Sequence, residues 1–190
     1  AVVIQKMVNA DVAGVMFTVN PVNQNKNEIL IESAYGLGEA VVSGSITPDE
    51  YIVNKKKLEI EKQNIVEKTW MYTRDPKTLE TVKVDVAKHK QKESTLLPNE
   101  VRKLAELAIM IEKHYGKPQD LEFAVEKGKI YIVQSRPITT LGKQEKVEVI
   151  AKTEEQKKEE TVGDVDVKDA VLLVSGLPAS PGVGKGKVVQ

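Results

Sequence analysis

The sequence predicts an α+β fold, mainly antiparallel sheet with one amphipathic helix packed on it. Three observations predict this class. Short apolar segments recur between turn residues along the first half, residues 99–115 carry helical spacing, and residues 119–140 alternate about a Lys-Gly turn as a hairpin does. With 41% apolar residues in a chain of 190, there is material for one core, or for one core plus a small second unit.

Taken in order, two β-branched stretches, residues 1–8 and 12–19, flank Asn9-Ala10-Asp11, a set of turn formers, and predict an antiparallel pair. The chain opens at Ala1 directly in a strand-like segment, as expected of a piece of a larger protein. Asn20-Pro21 begins an Asn-rich loop, and EILIES (residues 28–33) returns as a strand before Gly36 and Gly38. After Pro48, four short segments (DEYIVNKKK, KLEIEKQNI, KTWMYT and TVKVDVA) tend to alternate and predict an antiparallel meander with one solvated face. Val101, Leu104, Ala105, Ala108 and Ile111 form the stripe of a helix that starts by Pro98 and stops at Gly116 and Pro118. Lys113 and His114 fall in its last turn, where a cation meets the negative end of the helix dipole. Residues 142–169 (KQEK, KTEEQKKEE, GDVDVKD) have few large apolar side chains and predict a linker or solvated helix. VLLVSGLPASPGVGKGKVV then resumes a strand and a Gly/Pro turn, which predicts the start of a further domain.

Composition removes several functions. Lys+Arg and Asp+Glu both number 28, so no net charge favours nucleic acid or an anionic membrane surface, and phosphate binding has to be local. No apolar run approaches the ~20 residues of a spanning helix, and AVVIQKMV lacks the layout of a signal peptide, so the expectation is a soluble, cytoplasmic protein. Without cysteine, thiol catalysis and thiolate metal sites are excluded. Of the two histidines, His114 reads as a helix-end residue and His89 lies between lysines in a polar run. Chemistry is left to carboxylates, amides and guanidinium groups.

The hairpin carries that chemistry. If Leu121, Phe123 and Val125 on its first strand and Tyr131 and Val133 on its second share the core face, paired residue numbers sum to an even value. Glu122 and Gln134 then stand together on the opposite face, with Arg136 two residues on and Lys127-Gly128-Lys129 as the turn. A carboxylate beside an amide oxygen suits Mg²⁺, a hard cation that fills its octahedron with waters and phosphate oxygens. A guanidinium one step along can grip phosphate in a two-pronged fork. The same pattern also fits a polar sheet face with a surface salt bridge. A second candidate, SAYGLGEAVVSG (residues 33–44), ends a strand in glycines that permit either close approach to a phosphate or a tight turn. It is neither a Rossmann fingerprint nor a P-loop, and Glu39 within it reads as a second metal ligand or as a helix N-terminal acid.

AVVIQKMV, AGVMFTVNP, ESAYGLGEAVVSGSITPDEYIV, PQDLEFAV and IYIVQSRPITT, in that order over roughly residues 1–140, resemble successive motifs of the phosphoenolpyruvate synthases (pyruvate, water dikinases) and, behind them, the pyruvate phosphate dikinases. The resemblance implies the C-terminal subdomain of an ATP-grasp nucleotide-binding domain over residues 1–141, a charged linker over 142–169, and the incomplete start of a swivelling phosphohistidine domain over 170–190. It implies Mg²⁺ and ATP as ligands and the conversion of pyruvate, ATP and water to phosphoenolpyruvate, AMP and phosphate through a phosphohistidine. Carried over by position, Glu122 and Gln134 hold Mg²⁺ or the phosphates, Arg136 contacts the transferring phosphates and is the catalytic residue, Gln5 lies at the base or ribose, and Glu39 is a less secure member of the site.

The phosphate-binding lysine and arginine of the preceding lobe, the phosphorylated histidine and the barrel that takes pyruvate have no counterpart in the chain. The expectation is therefore a fragment contributing half of a Mg·ATP site, with no nucleic-acid or membrane partner, inactive alone and part of an enzyme whose full length permits a homo-oligomer. A pyruvate phosphate dikinase, a rifampicin phosphotransferase or a non-catalytic interaction module are the other readings. The stretch from Tyr51 to Ala87 favours the synthase branch over the phosphate dikinases, and keeping Glu122, Gln134 and Arg136 together argues against a degenerate module. Lys/Glu richness without cysteine is compatible with a thermophile.

Overall fold

A computed structural model describes Val2 and residues 4–139, so the linker and swivelling-domain expectations for 142–169 and 170–190 lie outside the described residues. Six strands, β1 (Val12–Phe17), β2 (Glu28–Tyr35), β3 (Asp49–Asn54), β4 (Ile60–Asn64), β7 (Gln119–Glu126) and β8 (Lys129–Pro137), form one sheet in the order β4-β3-β2-β1-β7-β8. Every neighbouring pair is antiparallel. Two further strands, β5 (Trp70–Arg74) and β6 (Thr81–Asp85), make a separate hairpin.

Helix α2 (Pro98–Tyr115) covers one face of the sheet, with Val101, Leu104, Ala105 and Ala108 buried against Met16, Ile31, Tyr51, Leu121 and Phe123. The predicted helix is thus present with its predicted stripe, and Ile111 packs at its margin. Pro98 opens it because a first-turn residue needs no N–H partner, and Gly116 closes it in the left-handed conformation (φ 67°). The other face is covered in part by the short helix α1 (Glu39–Val42), whose Val41 packs on Val15, Phe17, Leu30 and Ala34. α1 places Glu39 in a first turn, the position of the helix N-terminal acid that the sequence allowed.

Two expectations about the order and pairing of the strands before α2 fail. Residues 4–10 form no strand and do not pair with 12–19. β1 instead has both of its edges occupied, by β2 and by β7, so the apolar character of the N-terminal segment has no free ladder to join. The four segments after Pro48 do become strands, but as two hairpins in different sheets and not as one meander. The reason lies in the connection: Lys68, fully buried, donates to Asp49 Oδ1 at 2.5 Å, and Val66 N donates to the same oxygen at 3.0 Å. This pulls residues 66–68 back over the start of β3, so β5 cannot continue beside β4.

Candidate functional site

The β7–β8 hairpin turns through Lys127 and Gly128, both at positive φ (52° and 76°), a two-residue turn whose twist matches that of the strands. Lys129 belongs to β8 and not to the turn. Near the turn the pairing is Val125↔Ile130 and Phe123↔Ile132, an odd sum set by the two-residue loop. A bulge between Glu122 and Phe123 leaves Val133 unopposed, and beyond it the register becomes Glu122↔Gln134, Leu121↔Ser135 and Asp120↔Arg136. The two-residue turn thereby decides which side chains of β8 face the α2 core: Ile130 and Ile132 pack there, whereas Tyr131 and Val133, predicted for the core, do not. Tyr131 stands opposite Ala124, and Val133 joins a small cluster with Ala13, Leu37 and Ala124 on the other face.

Glu122 and Gln134 share a face and touch. Gln134 Nε2 donates to Glu122 Oε1 at 3.1 Å, and a half-turn of the terminal amide would set its oxygen there instead, making two oxygen donors side by side. Arg136 follows on that face, its Nε donating at 2.7 Å to Asp120 Oδ2 and its Nη2 lying 2.7 Å from the same oxygen. Burial pushes the Glu122 carboxyl above its ordinary range, Asp120 adds to this, and Arg136 opposes it. Among the described residues no three His, Asp or Glu side chains cluster tightly enough to hold a metal by themselves. One carboxylate and one amide oxygen nevertheless fit Mg²⁺, which takes most of its ligands from water and phosphate.

Gln5, Glu39 and Glu122, from three separate segments, line one cavity of about 400 Å³. Its floor is the sheet surface at Ala13 and Ala124, small side chains that leave room above β1 and β7. Met7, Val8, Leu37 and Gly38 also line it. Gln5 Nε2 donates to Val133 O at 3.3 Å, tying the N-terminal segment to the bulge of β8. Gln134 and Arg136 are not among the residues lining the cavity; they stand opposite Glu122 and Asp120, toward the C-terminal end of β8.

Two acidic residues of this face escaped the sequence reading. Asp120 was within reach, since the even-sum register that joins Glu122 to Gln134 also sets Asp120 opposite Arg136. Glu32 of β2 stands in register with Glu50 on one side and, through Val15, with Glu122 on the other. It is 2% exposed, its Oε2 has no hydrogen-bond partner among the described residues, and burial together with Glu50 and Asp120 pushes its pKa up to about 7. The only trace of it in the sequence is a Glu inside the apolar run EILIES.

An α+β sheet that presents carboxylate, amide and guanidinium groups beside a small-floored cavity has the construction of a nucleotide-binding domain, and comparison with known proteins agrees. The sequence profile of the pyruvate phosphate dikinase, AMP/ATP-binding domain matches residues 1–158, and the chain belongs to that family. A probable phosphoenolpyruvate synthase of Methanocaldococcus jannaschii is 49% identical over 188 residues, 99% of this chain and 15% of that protein. The probable phosphoenolpyruvate synthase of Archaeoglobus fulgidus is 50% identical over 188 residues, 99% of this chain and 23% of its own length. The phosphoenolpyruvate synthase of Pyrococcus furiosus is 47% identical over 194 residues, covering 98% of this chain and 22% of that protein. The chain spans less than a quarter of the length of these relatives.

Proposed function

We propose that the chain forms one side of the Mg·ATP site of a phosphoenolpyruvate synthase, a cytoplasmic phosphotransferase that converts pyruvate, ATP and water to phosphoenolpyruvate, AMP and phosphate by way of a phosphohistidine. The observation that carries this reading is the convergence of Gln5, Glu39 and Glu122 on one cavity, with Gln134 and Arg136 continuing from Glu122 along β8. In this reading residues 1–141 are an ATP-grasp C-terminal subdomain, 142–169 the charged tether and 170–190 the entry to the phosphohistidine domain. The histidine and the pyruvate pocket belong to other parts of the polypeptide.

The cavity takes the base and ribose against its apolar lining, and Gln5 offers an amide there. Glu122 and Gln134 would hold Mg²⁺, which supplies charge neutralisation to the phosphates when bound. Arg136 keeps free the N–H groups that Asp120 does not engage and directs them at phosphate oxygens. Asp120, almost buried, holds the guanidinium in one orientation, so little reorganisation is needed as charge develops on the transferring group.

The test is single-turnover phosphorylation of the full-length enzyme by ATP, measured beside exchange between pyruvate and phosphoenolpyruvate on the already phosphorylated protein. Glu122→Ala and Gln134→Ala are expected to cut the first by at least 10²-fold and to spare the second, since the first alone uses the cation. ATP-driven phosphorylation at the wild-type rate in either variant would remove the metal role.

A further inference from the structure

The β5–β6 hairpin lies outside the main sheet, and a two-stranded hairpin is at best marginally stable unless something else holds it. Here it is clasped to the loop that follows β2. Leu37 N donates to Tyr72 O at 2.8 Å, and Gly36 forms a parallel bridge with Tyr72. Gly36 sits at φ 78°, and a Cβ there would collide with the Tyr72 carbonyl, so the approach depends on glycine. The Tyr72 side chain packs on the cluster of Ala13, Leu37 and Ala124 that floors the cavity, and Trp70 meets its ring edge-on at 5.1 Å. This clasp carries the first residue of β6, Thr81, to the cavity wall, where it shares the space with Gln5 and Glu39. Thr81 is the one residue of the hairpin strands among those lining the cavity.

We infer that the β5–β6 hairpin is a working wall of the nucleotide cavity and that the Thr81 hydroxyl contacts the base or ribose of the bound nucleotide. The inference rests on the nucleotide reading given above. The phosphates follow Glu122 toward Gln134 and Arg136, which lie outside the cavity, so the part of the ligand inside it is the heterocycle and sugar. Those groups carry both donors and acceptors at their edges, and a hydroxyl serves either.

The experiment measures AMP affinity by calorimetry and steady-state ATP kinetics in the full-length enzyme. Thr81→Val keeps the shape and removes the hydroxyl, and Thr81 is exposed, so folding is not at stake. Loss of one neutral hydrogen bond predicts a rise of about fivefold in the AMP Kd and in KM for ATP, with kcat unchanged, and Thr81→Ser restores both. Ala124→Leu, which fills the cavity floor, separates the two levels of the argument. If Ala124→Leu abolishes AMP binding while Thr81→Val leaves it as in wild type, the hairpin inference is wrong and the nucleotide reading stands. If neither substitution affects AMP binding, the nucleotide reading falls and the inference with it.

Discussion

Replacing Glu32 by glutamine tests the electrostatics of the site face without touching the residues proposed to bind ligand. Glu32 is 2% exposed, and its Oε2 has no hydrogen-bond partner among the described residues. Burial first, then the neighbouring Glu50 and Asp120, raise its pKa from the ordinary 4.5 to about 7. Between these two values the folded state holds a proton that the unfolded chain has released. The stabilisation is therefore complete below pH 4.5 and is lost as pH rises through about 7. At about 1.4 kcal/mol for each tenfold change in proton affinity, the loss amounts to about 3 kcal/mol. Glu32→Gln has no such proton. Urea unfolding at intervals from pH 4.5 to 8 should show the variant gaining on wild type by about 3 kcal/mol across the range, whatever the offset between them at acid pH. Parallel stability profiles would refute the assignment of a buried, unpartnered carboxylate to Glu32.

Lys68→Met leaves the Asp49 carboxylate buried without its cation and should lower unfolding stability by about 3–5 kcal/mol, read as a drop in urea midpoint with unchanged slope. Arg136→Lys should reduce ATP turnover of the full-length enzyme more than tenfold, because an ammonium cannot reproduce a guanidinium fork. The same change should shift unfolding stability by less than about 1 kcal/mol, since the Arg136 side chain is 56% exposed. Gly36→Ala forces a Cβ into the Tyr72 carbonyl and should loosen the β5–β6 hairpin, detected as faster amide exchange of Leu37 and of the hairpin while β7 remains protected.

Helix α2 followed from spacing alone because one stripe, Val101 to Ala108, meets one sheet face. The partnership of Glu122 with Gln134 also followed, although from a register that holds only at the far end of the hairpin. The two-residue turn imposes an odd sum, which puts Ile130 and Ile132 on the α2 face in place of Tyr131 and Val133; the Val133 bulge restores the even sum beyond it and leaves no periodic mark in a run such as IYIVQS. AVVIQKMV has strand composition, yet composition does not say whether a ladder is free, and both edges of β1 were taken by segments far away in sequence. Glu32 was hidden for a related reason: its significance arises from Glu50 and Asp120, which only the sheet order brings near.

A crystal structure of the full-length enzyme with Mg²⁺ and a non-hydrolysable ATP analogue tests the central claim most directly. The base should lie over Ala13 and Ala124 beside Gln5, with a cation about 2.0–2.1 Å from oxygens of Glu122 and Gln134 and Arg136 on the phosphates while still paired with Asp120. A nucleotide bound elsewhere, or a cation held without Glu122 and Gln134, would contradict it.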